Sequence, residues 1–353
     1  MSKQRLIVLF DGTWNDPEDR TNVYRLARHI HDRDDKIRQR FFYQPGVGTS
    51  TLSRFRGGIF GYGLSKNLRQ GYQWLAKNYA ENDQVWIFGF SRGAYTARSL
   101  VGLIRKCGLL HIVNPRLLAR AEEIYRNKHL APDSKICDTF RKAYSREIKI
   151  RFLGVWDTVG ALGIPGTFLS EHGRYAWHDT ELSGIVEHGY HAVALDECRA
   201  AYDVALWTSK DGEKKQGNQE IEQRWFIGAH ANVGGGYGVD PLADISFHWM
   251  IQKAKRLGIG LADFELLPEH WKTKPTDSYN RFLGGVYAGL HNLKAGGDGR
   301  FFRQFATGFN GRPAVAVSVD ESVWMRWQDP SLDYRPRTLT AARQQPPEQL
   351  TAA

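Results

Sequence analysis

Four short runs in this chain are apolar at almost every position rather than at alternate ones: RLIVLF (5–10), QVWIFGF (84–90), IKIRFLGVW (148–156) and QRWFIGA (223–229). A strand with one face in water alternates apolar and polar residues, whereas a strand covered on both faces does not. The runs are rich in β-branched and aromatic residues and end in polar or glycine-rich turns, so each predicts a buried strand. RQRFFYQ (38–44) is a fifth, weaker candidate. Helical spacing fills the gaps. Leu64, Leu68, Leu75 and Tyr79 share one face of 64–80, and Ala94, Ala97, Val101 and Ile104 share one face of 93–106, with Gly108 placed to end that helix. Asp240 before Pro241 reads as an N-cap and first helical residue, ahead of Leu242, Ile245 and Trp249. Strands alternating with helices predict an α/β fold with a mainly parallel sheet flanked by helices.

That rhythm predicts a single domain over 1–330, which 353 residues at 42% hydrophobic content can supply with a core. Two stretches break it. Residues 111–147 read as inserted helices, and 160–222 as a long irregular stretch rich in Gly, His and charge; both are expected to form caps or substrate-binding surfaces. LSRFRGGIFGYG (52–63) reads as a surface loop. The tail 331–353, with RPR and QQPPEQ, is expected to be disordered.

Several function classes drop out. Cys107, Cys137 and Cys198 are few and form no C-x-x-C pair, which argues against a disulfide framework or a zinc ribbon. The first apolar run stops at Asp11, too short for a signal-peptide core, and no stretch approaches the roughly 18 apolar residues of a membrane span. The expected location is therefore cytoplasmic. The net charge, 48 − 38 = +10, permits peripheral contact with an anionic membrane or an acidic substrate. The basic residues are scattered and accompany no nucleic-acid-binding signature, so no nucleic acid is expected. The sequence leaves the oligomeric state open.

The chemistry centres on Gly89-Phe90-Ser91-Arg92-Gly93. A buried strand ends at the first glycine and a helix opens at the second, the setting of a nucleophile elbow, in which a sharp strand-to-helix turn thrusts a serine hydroxyl out at the sheet edge. A serine nucleophile needs a base, and the base needs an orienting acid. Asp157 and His230 stand just past two later strands, in LGVWDTVG and RWFIGAHANVGGGYG, in the chain order this fold requires. Asp196 is the reserve acid, with Asp203 a weaker one. Arg92 is one expected oxyanion-hole donor, and Gly12 or Thr13 in FDGTWND (10–16) the other. FDGT also resembles the D-x-D-G-T motif of haloacid-dehalogenase phosphatases, but Leu9 occupies the nucleophile's position. A magnesium site from Asp11, Asp16 and Asp157 is a weaker alternative. The GGGYG loop lacks the pattern of a phosphate loop.

LIVLFDGTWND, GFSRGAYTARSLVGLIRKCGLL, FLGVWDTVGALG, ALDECR and WFIGAHANVGGGYG occur in this order. Together they resemble the α/β-hydrolase domain of the type VI secretion phospholipase effectors, over roughly residues 5–325. The resemblance implies an α/β-hydrolase-like fold with cap insertions, a triad of Ser91, Asp157 and His230, and ester hydrolysis without metal or organic cofactor. It implies lipid or phospholipid acyl esters as substrates, and export by a type VI system. After the histidine the family usually reads S-D-V-G-G-G-Y; this chain has Ala231-Asn232-Val233, which removes an acid near His230. A rival of another class is a silent basic module of the same fold that binds an anionic membrane or a protein partner.

Overall fold

A computed structural model describes residues 3–12, 19–34, 37–46, 59–160, 180–295, 298–308 and 311–347. The chain begins with β1 (Gln4–Phe10), α1 (Asn22–His29), the two-residue β2 (Arg33–Asp34) and β3 (Ile37–Gln44). Next come α2 (Ile59–Asn78), β4 (Gln84–Phe90) and α3 (Arg92–Cys107). β5 (Leu109–Leu110) pairs with β6 (Ser145–Arg146) across α4 (Pro115–Arg126) and α5 (Lys135–Tyr144). β7 (Ile150–Trp156), β8 (Val186–Ala194) and β9 (Glu220–Phe226) precede α6 (His230–Gly234) and α7 (Pro241–Arg256). α8 (Ser278–Arg281), α9 (Val286–Ala295), β10 (Val317–Val319), α10 (Glu321–Gln328) and α11 (Arg337–Ala341) complete the described chain.

Eight strands form one sheet in the order β10-β9-β8-β7-β4-β1-β3-β2. All neighbours are parallel except β2 against β3, so the α/β architecture is as expected. The central strands β1, β4, β7 and β8 are buried on both faces, and their side chains divide between two cores. Leu6, Val8 and Phe10 of β1 pack with Leu68, Tyr72 and Ala97, while Ile7 and Leu9 pack with Val23, Leu242 and Met250. From β1 the chain passes to β3 on one side, then returns to place β4 on the other. β1 and β4 therefore flank a topological switch, the place in an open α/β sheet where sites form at the C-terminal ends of the strands.

Three expectations change. The stretch 160–222 is not an insertion throughout: β8 lies within it, between β7 and β9. His188 and His191 interrupt its apolar run, yet both are buried. The tail is not disordered as far as it is described. Leu339 of α11 is fully buried, and the Tyr334 hydroxyl reaches both carboxylate oxygens of Asp196 at 2.8 and 3.0 Å. Residues 59–63, read as loop, are the first turn of α2, whereas 52–58 fall outside the described residues. Among the described residues no helix is long and apolar enough to cross a membrane.

Candidate active site

Ser91 sits between β4 and α3 with φ 59° and ψ −124°, in the left-handed region that side chains ordinarily avoid. The flanking glycines permit that turn. A Cβ on Gly93 would lie 2.2 Å from the Phe10 carbonyl oxygen and 2.5 Å from that of Asp11; one on Gly89 would lie 2.6 Å from the Gly93 oxygen. The turn is thus pressed against the end of β1, and the Ser91 N–H donates to the Trp156 carbonyl at the end of β7 (3.0 Å).

Asp157 follows β7 at once, with φ 39° and its side chain fully buried. His230 opens α6, four residues past β9. Parallel pairing of β4, β7, β8 and β9 brings these strand ends to one edge of the sheet. There His230 Nε2 lies 2.8 Å from Ser91 Oγ, and His230 Nδ1 lies 2.5 Å from Asp157 Oδ2. A carboxylate can only accept, so Nδ1 carries the proton and Nε2 is left to accept from the serine hydroxyl. The imidazole is held between the rings of Phe90 (centroids 4.7 Å apart) and Tyr202 (5.1 Å).

The charges around this chain of hydrogen bonds are paired. Arg303, which sequence reasoning missed, is fully buried and donates to both oxygens of Asp157 at 2.6 and 3.0 Å. Glu197, also missed, accepts the His230 backbone N–H at 3.2 Å and is paired with Arg199 through two hydrogen bonds of 2.8 Å. ALDECR held a signal for the second pair, an acid and a base two residues apart. Arg303, in a segment with no motif, had none. Burial alone would raise the Asp157 carboxyl, but the charge of Arg303 and the hydrogen bond and charge of His230 hold it well below the usual carboxylate range. Burial pushes the His230 imidazole down, against the opposing pull of Asp157 and Glu197, and favours the neutral base.

The other sequence candidates separate. Asp196 does not meet His230: it accepts the Gly228 N–H at 2.6 Å and the Tyr334 hydroxyl, which is the work of a turn anchor. Asp203 accepts its neighbour's N–H, from Val204. Gly12 N–H is turned into the Asp11 carboxylate (2.7 Å), so it is already engaged; Thr13 lies outside the described residues. Arg92 opens α3, with its N–H at the positive end of the helix dipole beside Ser91. For the magnesium alternative, Asp11 also accepts from Tyr43 and Thr21 (2.6 and 2.7 Å), Asp157 is saturated as above, and Asp16 lies outside the described residues. Among the described residues no cluster of His, Cys, Asp and Glu forms a metal site. Asn232 does not touch the imidazole. Its Oδ1 accepts from Ala229 N (3.1 Å) and Thr276 N (3.0 Å), and its Nδ2 donates to Asp240 (2.9 Å), tying α6 to the start of α7.

A family model described as the catalytic domain of the type VI secretion system Tle1-like phospholipase effector matches residues 4–253. An uncharacterized protein of Saccharomyces cerevisiae, YEL023C, is 31% identical over 233 residues, which cover 59% of this chain and 33% of the yeast protein. The chain thus spans about a third of that relative's length. Among solved structures, an uncharacterized protein from Pseudomonas aeruginosa aligns at 20% identity and a TM-score of 0.46, over 76% of this chain and 48% of its own. A Tle1 effector bound to the VgrG spike of the type VI secretion system aligns at 20% identity and a TM-score of 0.39, over 67% of this chain and 51% of its own.

Proposed function

The chain belongs to the Tle1-like phospholipase effector catalytic-domain family, and on that premise we propose that it is a serine hydrolase of carboxylic esters, with lipid acyl esters as its substrates. The observation that carries this reading is the unbroken hydrogen-bond chain from Ser91 through His230 to Asp157, assembled at the C-terminal ends of β4, β7 and β9. Such a chain gives a serine the means to lose its proton as it attacks.

In the proposed cycle, Ser91 Oγ bonds to the acyl carbon as its proton passes to His230 Nε2. Asp157 holds the imidazole and balances the charge it gains. The N–H of Arg92, with a second donor from the loop after β1, stabilises the oxyanion. The carbon–oxygen bond to the leaving alcohol then breaks, and His230 returns the proton to that alcohol. Water, deprotonated by His230, attacks the acyl-enzyme, and the departing Ser91 oxygen recovers a proton from the imidazole. No step calls for a metal or an organic cofactor. The formal charge of +10 favours approach to an anionic lipid surface.

Fluorophosphonate labelling with mass-spectrometric mapping tests the reading, because the probe reacts with activated serines. Labelling at Ser91 should vanish in Ser91→Ala and fall by about a thousandfold or more in His230→Ala. A folded wild type that takes no label would sink the hydrolase reading and favour the silent membrane- or partner-binding module. Long-chain and short-chain acyl esters, offered to the labelled-competent enzyme, then decide whether lipids are the substrate class.

A further inference from the structure

We propose that Arg303 is a positioning residue of this site: it locks the Asp157 carboxylate in the orientation that serves His230 and limits how strongly that carboxylate draws a proton onto the imidazole. The proposal rests on the hydrolase reading above.

The geometry is that of a clamp. One guanidinium nitrogen donates to Asp157 Oδ1 (2.6 Å) and to the Ala194 carbonyl (2.7 Å); the other donates to Asp157 Oδ2 (3.0 Å) and to the Tyr202 carbonyl (2.5 Å). Arg303 therefore ties together the end of β7, the end of β8 and the segment carrying Tyr202, whose ring lies edge-on to His230. With the Ala194 N–H (2.8 Å) and His230 Nδ1, the carboxylate has four donors and no freedom to rotate. Two parallel contacts from a planar guanidinium fix a carboxylate in a way that a point charge cannot.

Stability is a poor explanation for the pair. Buried ion pairs recover little more than the cost of stripping water from both charges. The Arg303 Nε–H is moreover buried with no hydrogen-bond partner among the described residues. What the pair does supply is charge balance. The charged groups that act on His230 are Asp157 after β7 and Glu197 and Arg199 after β8; Arg303, before β10, bears on Asp157 and Glu197, with Asp203 beside it. Without Arg303 the Asp157 charge would act on the imidazole with only burial and Arg199 against it, and His230 would hold a proton to higher pH. A protonated His230 cannot take the proton of Ser91.

The test follows the rate of fluorophosphonate labelling of Ser91 against pH in the wild type, Arg303→Gln and Arg303→Lys. In Arg303→Gln the rate at neutral pH should fall by about tenfold or more, and the acid limb should move to higher pH by about one unit. Arg303→Lys, which keeps the charge but not the fork, should lose rate while its acid limb stays near that of the wild type. On an Asp157→Asn background, adding Arg303→Gln should change the rate by less than about threefold, because the carboxylate it acts on is gone. The comparison of Asp157→Asn with the double variant, in which both partners of the pair are neutral, does not require Arg303→Gln alone to fold, and a loss beyond about threefold there would by itself show Arg303 acting apart from the carboxylate. An Arg303→Gln variant with an unmoved acid limb, or losses that multiply in the double variant, would overturn the proposal and leave Arg303 a structural residue. A wild type not labelled at Ser91 would remove the hydrolase reading itself, and this proposal with it; that result comes before any Arg303 variant is compared.

Discussion

At the scale of single residues, the site shows how a neighbour's charge decides what a side chain tolerates. Asn232 stands where the resemblance to the effector family implies an acid, and its amide both accepts from backbone and donates to Asp240. An acid there would face the Asp240 carboxylate across 2.9 Å in a buried setting. Asn232→Asp is therefore expected to cost about 1–3 kcal/mol of stability at neutral pH. The sign with pH is fixed: the repulsion raises a carboxyl in the folded state, so the penalty shrinks as pH falls and that group binds its proton. Thermal unfolding of the variant at mildly acidic and mildly alkaline pH checks this, and an equal loss at both would refute it. Ser91, Asp157 and His230 could be grouped before any coordinates because each follows a strand, and the structure brings them within hydrogen-bond reach of one another. Arg303 was not, because a lone arginine in an unpatterned segment looks like any solvated one until a fold buries it.

At the scale of elements, strands were legible where both cores demanded apolar residues, and lost where polar side chains were buried in their own hydrogen bonds. β8 was missed for that reason: His191 accepts the Thr158 N–H through Nε2 and meets Gln223 through Nδ1, which satisfies a histidine inside the sheet. α11 was missed because proline and charge flank a five-residue helix that buries only Thr338 and Leu339, with Tyr334 just before it. The glycines of the elbow, by contrast, announced a close approach that the structure contains. Gly93→Ala would place a methyl group against the backbone of Phe10 and Asp11, which has no rotamer to yield. It should cost about 1–3 kcal/mol or more and displace the β1 loop from Ser91. Labelling of Ser91 should then drop further than stability alone explains. A folded variant labelled at the wild-type rate would show that the contact is dispensable.

At the scale of the whole molecule, buried histidines contribute to the response to acid. Burial, with the nearby charge of Arg98 adding to it, brings His191 down to about 3, and His230 is lowered as well. Between those folded values and the ordinary value near 6.5, the unfolded chain binds protons that the folded chain refuses, so stability rises with pH across that window. As pH falls below about 6.5, each such histidine should remove about 1.4 kcal/mol per pH unit until its folded value is reached. Thermal midpoints should therefore fall through the mildly acidic range, and His191→Gln, if it preserves the hydrogen bonds, should flatten the slope. An unchanged slope in that variant would point to other groups. The clamp on Asp157 carries a consequence of a different kind, in the timing of synthesis. The proposed serine, acid and base have all been made by residue 230, yet Arg303, proposed to fix the acid, comes 73 residues later. On the hydrolase reading proposed above, a nascent chain would thus pass through a stage in which Ser91, Asp157 and His230 exist without their clamp, and hydrolysis would be withheld until the fold closes around Arg303.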